Sequence, residues 1–406
     1  MNKISCNIIF TNIFSCDFYR RLFRSSYFIM EVDLMRFFKF VPVIMYVISL
    51  MILVPAFSVP PAISNMEIMK KIDPAKGTKE EGSELVWFDA KDLTIEGKGW
   101  NDTEEFYNRL PAKAKGKVTE NVWSLSKNTA GICIRFQTDS KQIGAAWDGG
   151  GAMNHMAATG NSGLDLYEKK DGKWEYCGTG RPKTTRTVHV MAKERPGKNT
   201  EYLLYLPLYQ KVTELKIGIE GGAFLSPAAL RPKEKKPLVF YGTSITQGGC
   251  ASRSGMCHPA ILGRWFDREV INLGFSGAGK MEKEMAGLMS ELDPALYIFE
   301  CLPNMSPEMI KERMEPFVRV VRKAHPETPI LLVESPFQTE QEDNLLLKQA
   351  YENLLKEGVK NLHLMPGEGQ LAGEENGTVD GVHPTDLGFF RMAVFYKPYL
   401  ENLIGK

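Results

Sequence analysis

After residue 237, short apolar runs alternate with longer stretches of helical periodicity. The runs lie at 238–242, 270–274, 296–300, 329–335 and 361–365, and the helix-like stretches lie near 256–268, 280–291, 306–324, 341–357 and 385–403. Strands that alternate with helices predict βαβ units, which form a parallel sheet with helices on both faces. We therefore predict an α/β domain over residues 237–406.

Residues 85–230 follow a different pattern. Short runs in which apolar and polar residues alternate are separated by turn residues, and Asp171 and Gly172 form a hairpin signal between two such runs. Helical periodicity is hard to find in this part of the chain. The pattern predicts a β-sandwich of roughly 145 residues, joined to the α/β domain by a charged, proline-bounded linker at 231–237.

A strongly apolar run at 40–57 follows Arg36 and Lys39 and ends in the small residues Ala56 and Ser58. A basic region, an apolar stretch and then small residues are typical of a secretory signal, although the run is also long enough for an uncleaved membrane anchor. We therefore expect an exported protein, either secreted or periplasmic.

Residues 1–60 are accordingly interpreted as a leader with its signal peptide. Met35 begins a normal signal sequence and is an alternative start of the protein, because residues 1–34 fit no targeting pattern. Residues 61–84 are polar and are predicted to be a linker.

Five cysteines follow the signal: Cys133, Cys177, Cys250, Cys257 and Cys301. Export permits disulfides, and an odd number leaves at least one thiol unpaired within the chain. Cys250 and Cys301 both lie just beyond strands that should be neighbours, which favours a disulfide between them. A Cys250–Cys257 pair and free thiols are the alternatives.

The charge balance and the missing motifs exclude several functions. Lysine and arginine total 50 against 49 acidic residues, a formal net charge of +1, which does not suggest a nucleic-acid or anionic-membrane partner. Residues 274–280 have the spacing of a phosphate-binding loop, but Met281 stands where that loop needs serine or threonine. GxSxG, HExxH and CxxC motifs do not occur. We expect no cofactor, no metal and, beyond the signal, no membrane partner.

Ligands of an open α/β sheet bind at the carboxyl ends of its strands. Four segments follow strands or precede the last helix at that edge: GTSIT at 242–246, NLGFSG at 272–277, PN at 303–304 and DGVHP at 380–384. A serine hydroxyl needs an adjacent base to become a nucleophile, and the base needs a third group to orient it. Ser244, His383 and Asp380 are candidates for these three roles.

An ester's tetrahedral intermediate also needs fixed hydrogen-bond donors. The backbone amides of Ser244 and Gly277 and the side chain of Asn304 are placed to supply three. They are therefore candidates for an oxyanion hole.

The four segments resemble, in order, the sequence blocks of the SGNH/GDSL hydrolases, in a variant that lacks the GDS tripeptide. GLDLY at 163–167 resembles the GxDLY signature of the β-sandwich that precedes the catalytic domain in one esterase subgroup. The resemblance covers about residues 85–406. It implies a flavodoxin-like αβα domain after a jelly-roll-like sandwich, and ester hydrolysis without a cofactor. Glu300 stands where we would expect aspartate, which does not affect the proposed roles.

The resemblance and the expected export together favour a carbohydrate O-acetyl esterase acting on a small-molecule or oligosaccharide ester. One alternative is a lipid or thioester acylhydrolase, although no long apolar lid segment supports it. Another is a glycan-binding protein with an inactive esterase domain.

A glycine-rich loop between Trp147 and His155 precedes the GLDLY segment. Long loops often carry function, so this loop could fold over the Ser244 edge, where Trp147 and His155 would form a wall of the substrate pocket. The alternative is a surface loop with Trp147 in the core of the sandwich.

Overall fold

The computed structural model describes residues 71–405 except 184, 373 and 374. The predicted leader, its signal peptide and the alternative start at Met35 lie outside the described residues. Within the described part, no helix is both long and apolar enough to cross a membrane.

Ten strands of the described residues, all before residue 228, form two antiparallel sheets. They are β1 (Val86–Asp89), β2 (Thr94–Glu96), β3 (Cys133–Thr138), β4 (Ile143–Asp148), β5 (Leu164–Lys170), β6 (Lys173–Gly180), β7 (Arg186–Ala192), β8 (Thr200–Tyr205), β9 (Leu215–Ile219) and β10 (Leu225–Pro227). One sheet has the order β1-β9-β4-β7, and the other has the order β10-β3-β8-β5-β6 with β2 paired to β3. Alternate side chains of both sheets, such as Phe136, Trp147 and Ile217, are buried in one shared core. The predicted sandwich is confirmed.

The hairpin signal at Asp171 and Gly172 joins β5 to β6. Both residues have positive φ, 49° and 77°, and the flanking Lys170 and Lys173 are paired across the two strands. Two consecutive positive φ angles produce the turn whose twist matches that of the strands, and glycine accepts this conformation without strain.

The last five strands form a parallel sheet in the order β12-β11-β13-β14-β15. They are β11 (Leu238–Gly242), β12 (Val270–Gly274), β13 (Leu296–Glu300), β14 (Ile330–Val333) and β15 (Leu362–Met365). This is the doubly wound, flavodoxin-like order, so the predicted fold of the second half of the chain is confirmed.

Among the described residues, six helices accompany this sheet and two short ones precede it. The earlier pair is α1 (Glu120–Leu125) and α2 (Ala158–Asn161), and the others are α3 (Ser244–Gln247), α4 (His258–Trp265), α5 (Lys283–Met289), α6 (Pro307–Ala324), α7 (Gln341–Lys356) and α8 (Asp386–Ile404). The sheet separates two cores. Val239 and Tyr241 face α5, α6 and α7, whereas Leu238 and Phe240 face α4 and α8.

Residues 97–131 form no strand. Of their apolar side chains, Tyr107 is buried in the sandwich core, but most, including Trp100 and Trp123, are buried in the same core as Met285 of α5. The structure thus differs from the uniform sandwich that the sequence led us to expect, because a pattern of apolar residues does not reveal which of two cores receives them.

The described part of the first predicted linker, residues 71–84, and the second linker both contact the sandwich. Thr78 forms an isolated bridge with Trp87 of β1, with backbone hydrogen bonds of 2.8 and 2.9 Å. Arg231 pairs with Glu96 at 2.9 Å and with Asp267 at 3.0 Å, and its side chain is only 12% exposed. These contacts leave little freedom at the junction with the α/β domain.

All five described cysteines are unpaired: Cys133, Cys177, Cys250, Cys257 and Cys301. The favoured Cys250–Cys301 disulfide is therefore wrong, because Cys301 lies in the core facing α5 and Cys250 in the core on the opposite face of the sheet. The Cys250–Cys257 pair is not formed either. Cys257 contacts the carbonyl oxygen of Ser254 at 3.6 Å instead. The remaining alternative, free thiols, describes the structure.

Candidate active site

The turn after β11 presents Ser244 at the edge of the sheet. Thr243 caps α3 through its side chain, and Thr246 bonds back to the Thr243 amide, so the pair forms a capping box. A side chain at Gly242 would lie only 2.1 Å from Thr246 Oγ1, so this position requires glycine. The short helix thus fixes Ser244, which is 7% exposed, as its first residue.

The structure brings the three candidate catalytic side chains into one hydrogen-bonded row. His383 Nε2 lies 3.0 Å from Ser244 Oγ, and His383 Nδ1 lies 2.7 Å from Asp380 Oδ2. Since a carboxylate can only accept, Nδ1–H donates to Asp380, and Nε2 is left to accept the serine proton. The other Asp380 oxygen accepts the amides of Val382 and His383, at 3.1 and 2.8 Å, and this holds the turn.

The same hydrogen bonds keep Asp380 ionised. Partial burial raises the pKa of its carboxyl group, but the amide and ring of His383, together with the Val382 amide, outweigh burial and bring the pKa to about 2. Asp380 therefore carries a full negative charge beside the imidazole throughout the neutral range.

The candidate oxyanion donors lie in the turn that carries Ser244 and in loops linked to it, since the Phe275 amide donates to the Gly242 carbonyl at 3.0 Å. Among the described residues, the amides of Ser244 and Gly277 have no hydrogen-bond partner, and Gly277 has φ 65° with open space where a side chain would stand. The Asn304 amide nitrogen lies 3.4 Å from the carbonyl oxygens of Phe275 and Gly279, in the loop that carries Gly277. The amides of Ser244 and Gly277 are thus free to donate to a ligand oxygen, whereas the Asn304 side chain already contacts these two carbonyl oxygens.

The two candidates for the pocket wall, Trp147 and His155, lie in different surroundings. Trp147 has no exposed surface, packs in the sandwich core and donates to the Ser162 carbonyl at 3.0 Å, so it cannot line the site. His155 does reach the α/β domain, where its ring centroid lies 5.6 Å from that of His383. Trp147 therefore lies outside the predicted pocket wall. His155 lies beside the hydrogen-bonded row of Ser244, His383 and Asp380.

Comparison with known proteins assigns both halves of the chain. Residues 235–401 match the GDSL-like Lipase/Acylhydrolase family, and residues 85–225 match the GxDLY family, the N-terminus of SGNH-hydrolase-type esterases. A solved structure from Bacteroides ovatus, described as a GDSL-like lipase, is 35% identical with a TM-score of 0.75, and the similarity covers 79% of this chain and 98% of that one. This chain belongs to the GDSL-like lipase/acylhydrolase family. The resemblance inferred from the four segments and GLDLY is confirmed.

More distant structures share the fold of this GDSL-like chain. A salicylyl-acyltransferase from a tetracycline biosynthetic pathway is 19% identical with a TM-score of 0.65, covering 80% of this chain and 98% of its own. An acetyl xylan esterase from the rumen bacterium Butyrivibrio proteoclasticus is 12% identical with a TM-score of 0.51, covering 80% and 99%. No protein of curated function is significantly similar in sequence.

The GxDLY signature of this GDSL-like protein connects the sandwich, through hydrogen bonds, to the loop that follows the Ser244 turn. Asp165 has no exposed surface, and its carboxylate accepts from Arg253 at 2.7 Å, from the Gly255 amide at 3.0 Å and from Tyr167 at 3.1 Å. Complete burial raises the pKa of Asp165 despite the charge of Arg253. The sequence analysis uses this signature only to identify the family. A polar residue among apolar neighbours was the available signal that Asp165 has buried partners.

Two further residues that precede the α/β domain in sequence reach the catalytic loops, and the sequence analysis identifies neither. Tyr209 donates to the Ser244 carbonyl at 3.2 Å. Arg109 is 1% exposed, and its guanidinium donates to the carbonyls of Asn272 and Gly274 at 3.0 and 2.7 Å. Burial lowers the pKa of Arg109, because its partners on β12 are carbonyl oxygens instead of carboxylates. Neither residue lies in a recognisable motif.

Glu300 also helps to hold the turn that carries Ser244, although the sequence analysis gives its departure from the family pattern no role. Its buried carboxylate accepts from Thr246 at 2.7 Å, from His258 at 2.9 Å and from Tyr396 at 2.5 Å. Burial raises the pKa of Glu300, but these partners, led by His258, outweigh burial and hold it below its usual range. Because Thr246 also closes the capping box of α3, this network braces the turn that presents Ser244.

Proposed function

We propose that this protein is a serine esterase in which Ser244 is the nucleophile, His383 the general base and Asp380 the group that orients it. The observation that carries the proposal is the row of hydrogen bonds from Ser244 through His383 to Asp380, at 3.0 and 2.7 Å. The family to which the chain belongs, the GDSL-like lipases and acylhydrolases, supports the same chemistry.

The proposed reaction has two halves. Ser244 Oγ attacks the ester carbonyl while His383 Nε2 accepts its proton, and the developing oxyanion is bound by the amides of Ser244 and Gly277 and the side chain of Asn304. The imidazolium then protonates the departing alcohol, which leaves an acyl-serine. Water, deprotonated by His383, releases the acid and regenerates the serine.

For the substrate, we propose O-acetyl esters on carbohydrates. The shared fold of an acetyl xylan esterase is in keeping with this choice. The rim of the site is open, since the Asp380 side chain is 39% exposed, and an open rim allows a bulky oligosaccharide to approach. His155 stands beside His383, where we propose that it contacts the alcohol portion of the substrate.

One feature favours the alternative of a longer acyl chain. Val379 and Val382 flank Asp380 and are 47% and 43% exposed. Leu387, Phe390 and Val394, at helical spacing on α8, form a further row of apolar side chains, each about half exposed. Such a surface beside the catalytic histidine suits a lipid or fatty-acyl substrate.

Paired assays separate these candidates. The proposed acetylesterase should hydrolyse p-nitrophenyl acetate with a kcat/KM at least about tenfold above that for p-nitrophenyl octanoate, and should release acetate from acetylated xylo- or cello-oligosaccharides. A preference for octanoate would favour the lipid acylhydrolase. Activity on neither ester nor sugar, with retained glycan binding, would indicate an inactive esterase domain.

Export is part of the proposal and rests on the apolar run at 40–57. N-terminal sequencing of the protein recovered from producing cells tests it. A mature N-terminus near Ala56 or Ser58 is expected for a cleaved signal. Recovery of the intact run in the membrane fraction would instead indicate the anchor.

Replacing Asn304 with alanine should lower kcat by about 10²–10³ with little change in KM, because an oxyanion donor acts mainly in the transition state. Initial rates on p-nitrophenyl acetate measure both constants. Asn199→Ala, an exposed asparagine of the sandwich, is the control and should leave both unchanged. A higher KM at constant kcat for Asn304→Ala would instead indicate ground-state binding.

Replacing Asp380 with asparagine should lower kcat by about 10⁴. The asparagine oxygen can still accept the two backbone amides, so its NH₂ group would face His383 Nδ1. That nitrogen would then have to accept, which places the imidazole proton on Nε2, where it cannot take the proton of Ser244. Asp293→Asn, on the exposed surface, is the matched control. A loss smaller than tenfold would contradict the orienting role.

The same variant reports on acid stability. The folded pKa of Asp380, about 2, lies below its ordinary value of 3.8, so its contacts stabilise the fold above about pH 4 and lose this effect as the pH falls towards 2. Thermal unfolding should show wild type above Asp380→Asn in Tm at pH 5, with the gap closing towards pH 2. A gap that stays constant over this range would contradict the assignment.

A further inference from the structure

Three side chains from distant parts of the sequence converge beside Ser244. The ligand-forming atoms of His155, Cys250 and His383 all lie within 4.8 Å of one another. His155 comes from the sandwich, Cys250 from the loop after α3, and His383 from the loop before α8. No sequence spacing could reveal this cluster, which is why no metal site was expected.

Both imidazoles are oriented in the way that metal ligands require. His383 Nδ1 donates to Asp380 at 2.7 Å, and His155 Nδ1 faces the side-chain oxygen of Asn154 at 2.9 Å. An acceptor on one ring nitrogen leaves the lone pair on the other, and a carboxylate or amide oxygen behind the ring is the usual outer partner of a metal-bound histidine. In both rings the free lone pair is therefore on Nε2.

The third member is a thiol without a disulfide partner. Cys250 is 7% exposed and has φ 72°, an unusual conformation for a side-chain-bearing residue. Burial, and then the charge of Asp380, raise the pKa of the Cys250 thiol to about 11, so it is protonated in the free protein. A bound metal would replace that proton, which passes to solvent.

We propose that His155, Cys250 and His383 bind a zinc-class divalent cation and that this ion inhibits the enzyme reversibly. Two imidazole nitrogens and a thiolate are ligands that zinc prefers, with water or Ser244 Oγ in the fourth position. Metal–ligand bonds of about 2.0–2.3 Å place the ligands roughly 3.5 Å apart, so the cluster needs to contract by about 1 Å. His155, half-buried in its loop, is the group best placed to move.

The metal would inhibit the enzyme because it would bind to the nitrogen atom that serves as the general base. Nε2 of His383 is the same atom that accepts the Ser244 proton at 3.0 Å. A metal on Nε2 removes the base, and Ser244 is left without its acceptor. This consequence rests on the proposed esterase function, whereas metal binding itself does not.

Binding is tested first by a readout that does not depend on activity. Co²⁺ added to Ser244→Ala protein should give the near-ultraviolet thiolate-to-cobalt charge-transfer band, and adding Cys250→Ala or His155→Ala should abolish or strongly weaken it. If Cys250→Ala misfolds, Cys250→Gly removes the thiol and also suits the positive φ. Absence of the band in Ser244→Ala protein, or its persistence without Cys250, would overturn the site.

Inhibition is tested on the active enzyme in a buffer that does not chelate. Zn²⁺ should inhibit p-nitrophenyl acetate hydrolysis, EDTA should restore it, and Mg²⁺ should have no effect. His155→Ala and Cys250→Ala, each normalised to its own uninhibited rate, should raise the half-inhibitory Zn²⁺ concentration at least tenfold. Cys177→Ala and His363→Ala are the matched controls and should behave as wild type. Equal inhibition of all variants would overturn the inhibitory role.

Discussion

Replacing Ser244 with alanine should lower kcat on p-nitrophenyl acetate by about 10⁴–10⁶ while the protein stays folded. The hydroxyl removed is the one within 3.0 Å of His383 Nε2, and no acyl-enzyme can form without it. Little stability should be lost, since α3 is capped by Thr243 and Thr246 instead of Ser244. Steady-state kinetics and a thermal melt measure the two quantities.

The controls for this prediction use the same residue type and the partner base. Ser290→Ala, at the C-terminal end of α5, removes a hydroxyl that bonds only to the Ala286 carbonyl and should retain full activity. His383→Ala should lose about as much as Ser244→Ala, and the double variant should lose no more than either, because the two act as a unit. A Ser244→Ala enzyme with more than a tenth of wild-type activity would exclude Ser244 as the nucleophile.

Replacing Asp165 with asparagine should destabilise the protein by about 2–4 kcal/mol, the cost of leaving a partner charge in a buried pair uncompensated. The change leaves the Arg253 guanidinium without its counter-ion. The new NH₂ group also cannot accept, so the amide loses either the bond from Arg253 or those from the Gly255 amide and Tyr167, depending on its orientation. Chemical denaturation followed by tryptophan fluorescence measures the loss, and Asp171→Asn in the exposed hairpin turn should lose almost nothing.

The same variant should also lower kcat by about 10–100-fold, because small displacements at a reacting group are costly. The loop that Asp165 holds continues to Ser252, whose amide donates to Asp386 at 2.8 Å, and Asp386 begins α8 just after His383. An Asp165→Asn protein that is destabilised but fully active would limit the GxDLY signature to a stabilising role.

The sequence was sufficient to predict the fold of the α/β domain, because the strands of this domain are short apolar runs that are buried on both faces. Predicted runs at 238–242, 270–274 and 296–300 coincide with β11, β12 and β13. The carboxyl ends of parallel strands meet at one edge, so the positions of Ser244 and His383 followed from topology. Their contact at 3.0 Å is a geometric detail that the pattern could only suggest.

The errors share a physical cause, which is that local patterns do not specify long-range partners. Trp147 was a candidate for the pocket wall as an aromatic in a glycine-rich loop, but it belongs to β4, where alternation places it inside the sandwich, as the alternative interpretation had it. Cys250 and Cys301 follow neighbouring strand ends, yet they point to opposite faces of the sheet. Arg109 is a buried cation held by backbone carbonyls, and no residue spacing records such a contact.

The most direct test of the central claim is to trap the acyl-enzyme. Wild-type protein mixed with excess p-nitrophenyl acetate and quenched in acid within milliseconds is digested and mapped by mass spectrometry. The proposed mechanism predicts one acetyl group on the peptide that contains Ser244, and its accumulation should match the burst of p-nitrophenol. Acetyl on another residue, or an equal acetyl yield from Ser244→Ala protein, would contradict the mechanism.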